Sequence, residues 1–190
     1  MNTRKNLKNL VLLGLLTGLI FLMGQTPLGL IPLGFCNVTL LVIPVAVGTM
    51  YMGWKYGLVL GAAFAATSLL SALTKPSALV ATLMGASPVL MILMTVLPRL
   101  CIPLVIWAVY QLLGKIKQPL AMGIAAACGS LTNTVLYLGL MLLFYILCGI
   151  DNSKVLATIA AVAGGAGPLE ALAAAVIAPP ILTALQRIKK

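Results

Sequence analysis

The sequence predicts an all-α membrane protein, a six-transmembrane-helix bundle with its N- and C-termini in the cytoplasm. Three observations predict it. Hydrophobic residues make up 62% of the 190 residues and charged residues 7%, whereas a soluble domain carries roughly a quarter charged residues. The apolar residues come in long runs, without the alternating segments of a membrane β-barrel. The net charge of +10 is gathered between and beyond those runs. There it acts as a topology signal, and nucleic acid is not expected as a partner. The whole chain, 1–190, reads as a single integral membrane domain.

Each element has its own warrant. The first helix is expected over about 7–24, with Arg4, Lys5 and Lys8 before it. It resembles a signal peptide, but no cleavage site leads into a soluble domain, so it is read as a retained span. Its Gly14 and Gly18 form a GxxxG pair, suited to internal packing or to docking a partner helix. The stretch from Gln25 to Asn37 contains two Pro-Leu-Gly units and no charge. It is predicted to be a loop that folds over something apolar. A second helix is expected over about 38–51, and Trp54 and Tyr56 then mark an interfacial turn. The third, about 56–73, carries the small residues Gly57, Gly61 and Ala65. Residues 74–88 read as a semi-apolar connection, with or without a short helix. The fourth helix, about 89–114, contains Pro98, which either kinks it or starts it. The fifth is expected over about 119–148. A short amphipathic piece follows Asp151, and the sixth helix, about 169–186, opens after Gly164-Gly-Ala-Gly-Pro168.

With six spans, Arg4, Lys5, Lys8, Lys55, Lys115, Lys117, Arg187, Lys189 and Lys190 fall on one side, and Lys75, Arg99 and Lys154 on the other. The positive-inside rule makes the richer side cytoplasmic.

The fifth helix holds the most informative stretch, Ser130-Leu-Thr-Asn-Thr-Val-Leu-Tyr137. At about 1.5 Å per residue it lies near the membrane midplane, where polar side chains are costly. At about 100° per residue Ser130, Asn133, Thr134 and Tyr137 share one face, which Met141, Phe144 and Tyr145 continue. A polar floor under an apolar wall describes a small-molecule pocket; the same groups also serve as glue between helices. Arg99, in an apolar stretch, is expected to face a cavity or partner, not lipid. Glu170 opens the sixth helix, where the dipole favours an anion. The two are read either as a mutual ion pair or as ligand groups.

Catalytic chemistry finds no support in these residues. There is no histidine, the only acids are Asp151 and Glu170, and Cys36, Cys101, Cys128 and Cys148 have no CxxC spacing. No metal site, bound cofactor or enzyme activity is expected. No Walker A sequence is present, so any nucleotide would be hydrolysed by another chain.

Thr26-Pro-Leu-Gly-Leu-Ile-Pro-Leu-Gly34, Thr39 with Ile43-Pro44, Lys55-Tyr-Gly, Pro98-Arg99, Gly129-Ser-Leu-Thr-Asn-Thr134 and Glu170-Ala occur in this order. In these segments the chain resembles the membrane-embedded substrate-binding S component of an energy-coupling-factor (ECF) vitamin transporter, most closely the pantothenate-type branch. The resemblance covers nearly all of the chain. It implies a non-catalytic subunit in the bacterial cell membrane that captures a vitamin near the outer face under a lid formed by the loop after the first helix. It also implies partners: a transmembrane coupling subunit and two cytoplasmic ATPases. The implied substrate-binding residues are Asn37, Thr39, Arg99, Ser130, Asn133, Thr134, Tyr137 and Glu170. Gly14 and Gly18 fit the implied docking face of the first helix, and Gly57 and Gly61 are added as docking residues because small side chains make a smooth surface suited to a reversible helix contact. Pantothenate fits by chemistry, with Arg99 for its carboxylate and Asn133, Thr134 and Tyr137 for its hydroxyls and amide. Riboflavin, folate, cobalamin or a cofactor precursor are alternatives, as is a non-transport scaffold whose polar groups are all structural.

Overall fold

The computed structural model describes residues 2–26, 30–32 and 37–188, with side chains over 7–26 and 40–187. Long apolar runs become long helices: α1 (Asn2–Gln25), α3 (Trp54–Thr74), α5 (Pro88–Leu112) and α6 (Gln118–Leu147). Shorter helices are α2 (Val42–Met52), α4 (Ala78–Ala86) and α7 (Ser153–Ala161). The last runs through one π-helical turn, Val162–Ala166, into α8 (Gly167–Ile188).

Among the described residues, five segments are long and apolar enough to cross a bilayer unaided, the last being the joined stretch Ser153–Arg187. The second expected span is shorter than predicted. α2 has 11 residues, about 16 Å at 1.5 Å per residue, and Val42 to Met50 are all buried. Residues 37–39 are instead the strand β2 (Asn37–Thr39), paired antiparallel with β1 (Leu30–Pro32). A two-stranded ribbon therefore occupies part of the stretch read as loop. Residues 27–29 and 33–36 of that stretch lie outside the described residues.

Other boundaries differ for local reasons. The connection at 74–88 contains α4, whose start is capped by Ser77 Oγ accepting from the Val80 N–H; Ser87 does the same for Leu90 at the start of α5. Pro98 lies inside α5, and Pro88 opens it. The sixth helix does not start afresh after the glycines. Pro168 cannot donate to the Gly164 carbonyl, and the glycines tolerate the wider turn, so the chain continues through the π-turn with Gly167 N–H donating to Val162 O.

Contacts fix the helix directions. The C-terminal ends of α1 and α3 meet, with Gln25 Nε2 donating to Thr67 O and Ser71 Oγ to Gly24 O. These two helices are thus parallel. Gly57 and Gly61 of α3 face Pro103 and Arg99 of α5, so α5 is antiparallel to α3. Gly129 of α6 faces Ile106 and Ile102, and Gly123 and Thr134 of α6 face Ala175 and Glu170 of α8. Each of these neighbours runs opposite to the one before it.

Two close approaches share one device. Pro103 has no N–H for the carbonyl of Arg99, and Pro179 has none for that of Ala175. A glycine of the next helix lies against each freed oxygen: a Cβ on Gly61 would stand 2.7 Å from Arg99 O, and one on Gly123 2.9 Å from Ala175 O. Backbone contact of this kind is possible only without a side chain.

Two apolar clusters result. One joins α1, α2, α3 and the halves of α5, α6 and α8 beside them, around Ile20, Val45, Leu60, Ile106 and Leu182. The other joins α4, the start of α5, the end of α6 and α7, around Leu83, Met94, Phe144 and Tyr145. The polar residues of α5, α6 and α8 lie between them.

Candidate ligand cavity

Three helices bring the buried polar residues together. Arg99 comes from the middle of α5, Asn133, Thr134 and Tyr137 from one face of α6, and Glu170 from α8 just beyond the π-turn. All five line one cavity of about 520 Å³, within the range of small-molecule sites. Leu138 and Met141 extend its apolar wall, and Val162 and Ala166 of the π-turn close its far side.

Arg99 is the centre. Only 9% of it is exposed. Its guanidinium carbon lies 4.5 Å from the centre of the Tyr137 ring and 5.5 Å from that of Phe64, a cation–π arrangement. These rings offer no lone pair to its N–H groups. Among the described residues, Nε and Nη1 are buried with no hydrogen-bond partner. Asn133 is also buried, and its Oδ1 has no partner among those residues. Each such orphan costs about 1–3 kcal/mol, and more when it belongs to a charged group. Thr134 Oγ1 is shared between Ser130 O and Glu170 Oε2, both at 3.3 Å, which ties α6 to α8 at the cavity wall.

The sequence-derived candidates separate into groups. Arg99, Asn133, Thr134, Tyr137 and Glu170 converge. Ser130 is buried, supplies its carbonyl to Thr134, and does not line the cavity. Asn37 and Thr39 belong to β2, but their side chains lie outside the described residues. The aromatic wall is only partly a cavity wall. Met141 lines it, whereas Phe144 and Tyr145 pack into the second apolar cluster. Glu170 does not sit at a free helix start, because the π-turn continues into α8.

The glycines divide as well. A Cβ added to Gly14 or Gly18 would meet nothing within 4 Å among the described residues, so both point away from the described helices. Gly57 and Gly61, expected on a docking surface, are buried against Pro103 and the Arg99 carbonyl, so they pack within the chain. A spacing of four small residues is the same pattern whichever way the face turns.

Phe64, Ser77 and Thr158 also reach the cavities, and sequence reasoning missed them. Phe64 sits in an ordinary apolar helix, and nothing local distinguishes it. Ser77 had the signal of a helix cap.

The chain matches the family model described as ECF transporter, substrate-specific component, over residues 8–182. No curated protein matches it at a significant level.

Proposed function

The chain belongs to the substrate-specific components of ECF transporters, and on that premise we propose that it captures pantothenate, or a vitamin of like chemistry, from outside the cell. One observation carries the reading: Arg99, a buried cation with two nitrogens that find no partner among the described residues, lines a cavity of about 520 Å³ together with Asn133, whose Oδ1 is unpartnered among them too. A charge in a membrane span that serves only stability is expected to have its hydrogen bonds made within the protein. A ligand carboxylate on Arg99, with ligand hydroxyl or amide N–H groups on Asn133, Thr134 and Glu170, would satisfy these groups together.

The mechanism follows from binding and delivery. Arg99 holds the anionic group, and Tyr137 and Phe64 fix the guanidinium plane. Asn133 and Thr134 orient the polar body, and Met141 and Leu138 exclude water. The family implies a coupling subunit and ATPases as partners. We place the coupling subunit on the outward face of α1 at Gly14 and Gly18, where a second helix can approach closely. ATP hydrolysis is assigned to the partner ATPases, and the bacterial cell membrane is the setting.

Topology is read in the same way. α1 and α3 run parallel, which supports α2 with the ribbon as the return crossing and hence six crossings. Lys8, Lys55, Lys115, Lys117 and Arg187 then share one end of the bundle with the start of α1 and the end of α8, which supports a cytoplasmic assignment for that end.

Calorimetry on the purified chain in nanodiscs, with pantothenate, riboflavin, folate and cobalamin, tests the function. One-to-one binding of pantothenate that disappears in Arg99→Ala is the expected result. Tight binding of a different vitamin overturns the ligand, and silence across the panel from folded protein overturns the vitamin reading.

A further inference from the structure

A second cavity, of about 260 Å³, lies beside the first. Both are lined by Ser77, Arg99 and Tyr137, so the stacked pair stands at the boundary between them. The smaller one opens against the C-terminal ends of α1 and α3, where Thr67, Ser68, Ser71 and Lys75 supply its polar lining.

The two cavities differ in electrostatic bias. The smaller is lined by two cations, Lys75 and Arg99, with several hydroxyls, and no carboxylate among the described residues lines it, whereas the larger sets Glu170 against the shared Arg99. The chain has only two acids. Asp151 accepts from Ser153 beyond the end of α6, and Glu170 lines the larger cavity. Cations and hydroxyls without an acid suit an anion. The larger cavity offers acceptors, the Glu170 carboxylate and the unpartnered Asn133 Oδ1, which suit ligand N–H and O–H donors. Ser71 Oγ donates to Gly24 O at only 3.4 Å, a weak bond that is lost at small cost if the hydroxyl turns to an anion.

The geometry points to a two-ended ligand whose carboxylate seats in the smaller cavity between Lys75 and Arg99, while a body bearing hydroxyl or amide donors fills the larger cavity. This rests on the reading of Arg99 as a ligand-facing cation and adds Lys75 and Ser71 as specificity residues. It also sets the orientation of the ligand, with the acid end toward α1 and α3 and the donor end toward α8.

The test is calorimetry in nanodiscs with pantothenate and with pantothenol, which carries a primary alcohol in place of the carboxylate. Lys75 is exposed, so Lys75→Gln is expected to fold. It should weaken pantothenate about fivefold or more and leave pantothenol unchanged, whereas Thr134→Ala should weaken both alike. If Lys75→Gln weakens both equally, or neither, the two-ended placement is overturned while pantothenate binding stands. If pantothenate does not bind at all, the proposed ligand fails and the anion seat is judged by thermal shift, with acetate against acetamide at matched ionic strength. Acetate stabilisation lost in Lys75→Gln upholds the seat; no advantage of acetate over acetamide in the unaltered chain overturns it.

Discussion

The main-chain carbonyl of Arg99 lies against Gly61, so close that a Cβ on the glycine would stand 2.7 Å from the oxygen. Pro103 leaves that carbonyl without its helical donor. The position of the buried guanidinium is therefore tied to a residue on a neighbouring helix that lines neither cavity. Gly61→Ala must push α5 away at the cavity. It is expected to cost about 1–3 kcal/mol of stability and to weaken ligand binding along with it. A variant that keeps wild-type binding and melting would show that the helices separate freely here.

Arg99→Met tests whether the charge serves stability or binding. The substitution removes the cation–π contacts with Tyr137 and Phe64, of a kind worth about 2 kcal/mol when desolvated. It also removes a buried charge with two unmade hydrogen bonds, and replacing such charges with apolar groups of similar volume is often neutral or stabilising. The melting temperature in detergent should hold or rise while binding is lost. A large fall in melting temperature would assign Arg99 a structural role.

Tyr145 Oη donates to the Leu79 carbonyl at 2.6 Å, joining α6 to α4. Tyr145 is buried, and Leu79 lines the larger cavity. Tyr145→Phe keeps the packing and removes the donor, at a cost of about 1–2 kcal/mol. Hydrogen exchange should rise across Ala78–Ala86 more than across α5. Uniform exchange in the two helices would contradict this anchoring.

The two glycine patterns should behave oppositely. Gly14 and Gly18 have open space at the Cβ position among the described residues, so Gly14→Leu and Gly18→Leu are expected to leave stability and ligand binding within about 0.5 kcal/mol of wild type. Co-purification with the coupling subunit should drop. If both variants still pull down that subunit at wild-type yield, the α1 face is not its docking site.

Asp151, outside the spans, gives a small pH dependence. The Ser153 backbone N–H and then its hydroxyl hold the carboxyl below its ordinary value. Its contribution to the start of α7 is thus fully present above the ordinary carboxylate range. It is lost as pH falls through the lowered folded value. Exchange protection of α7 should decline on acidification, and Asp151→Asn should flatten that dependence.

The membrane class and the main helices were legible because both signals are local. A run of apolar side chains declares its solvent whatever surrounds it, and the long helices begin and end within a few residues of expectation. The cavity wall on α6 was legible too, since Asn133, Thr134, Tyr137 and Met141 fall on one face by helical period alone. α2 starts later than expected, at Val42, because hydropathy does not distinguish the end of an extended ribbon, Asn37–Thr39, from the first turn of an apolar helix. The π-turn escaped notice because Gly and Pro signal a break as readily as a wider turn.

By itself, then, the sequence determined the solvent, the main helices and the polar face of α6, because period and hydrophobicity act along one segment. Only the tertiary structure decided that Arg99 stacks on Tyr137 and Phe64, that Lys75 lines a second cavity, that Gly61 packs inward while Gly14 faces out, and that Glu170 meets Thr134. Each of these depends on which helix lies opposite and in which direction it runs, and helices far apart in sequence carry no local mark of their partner.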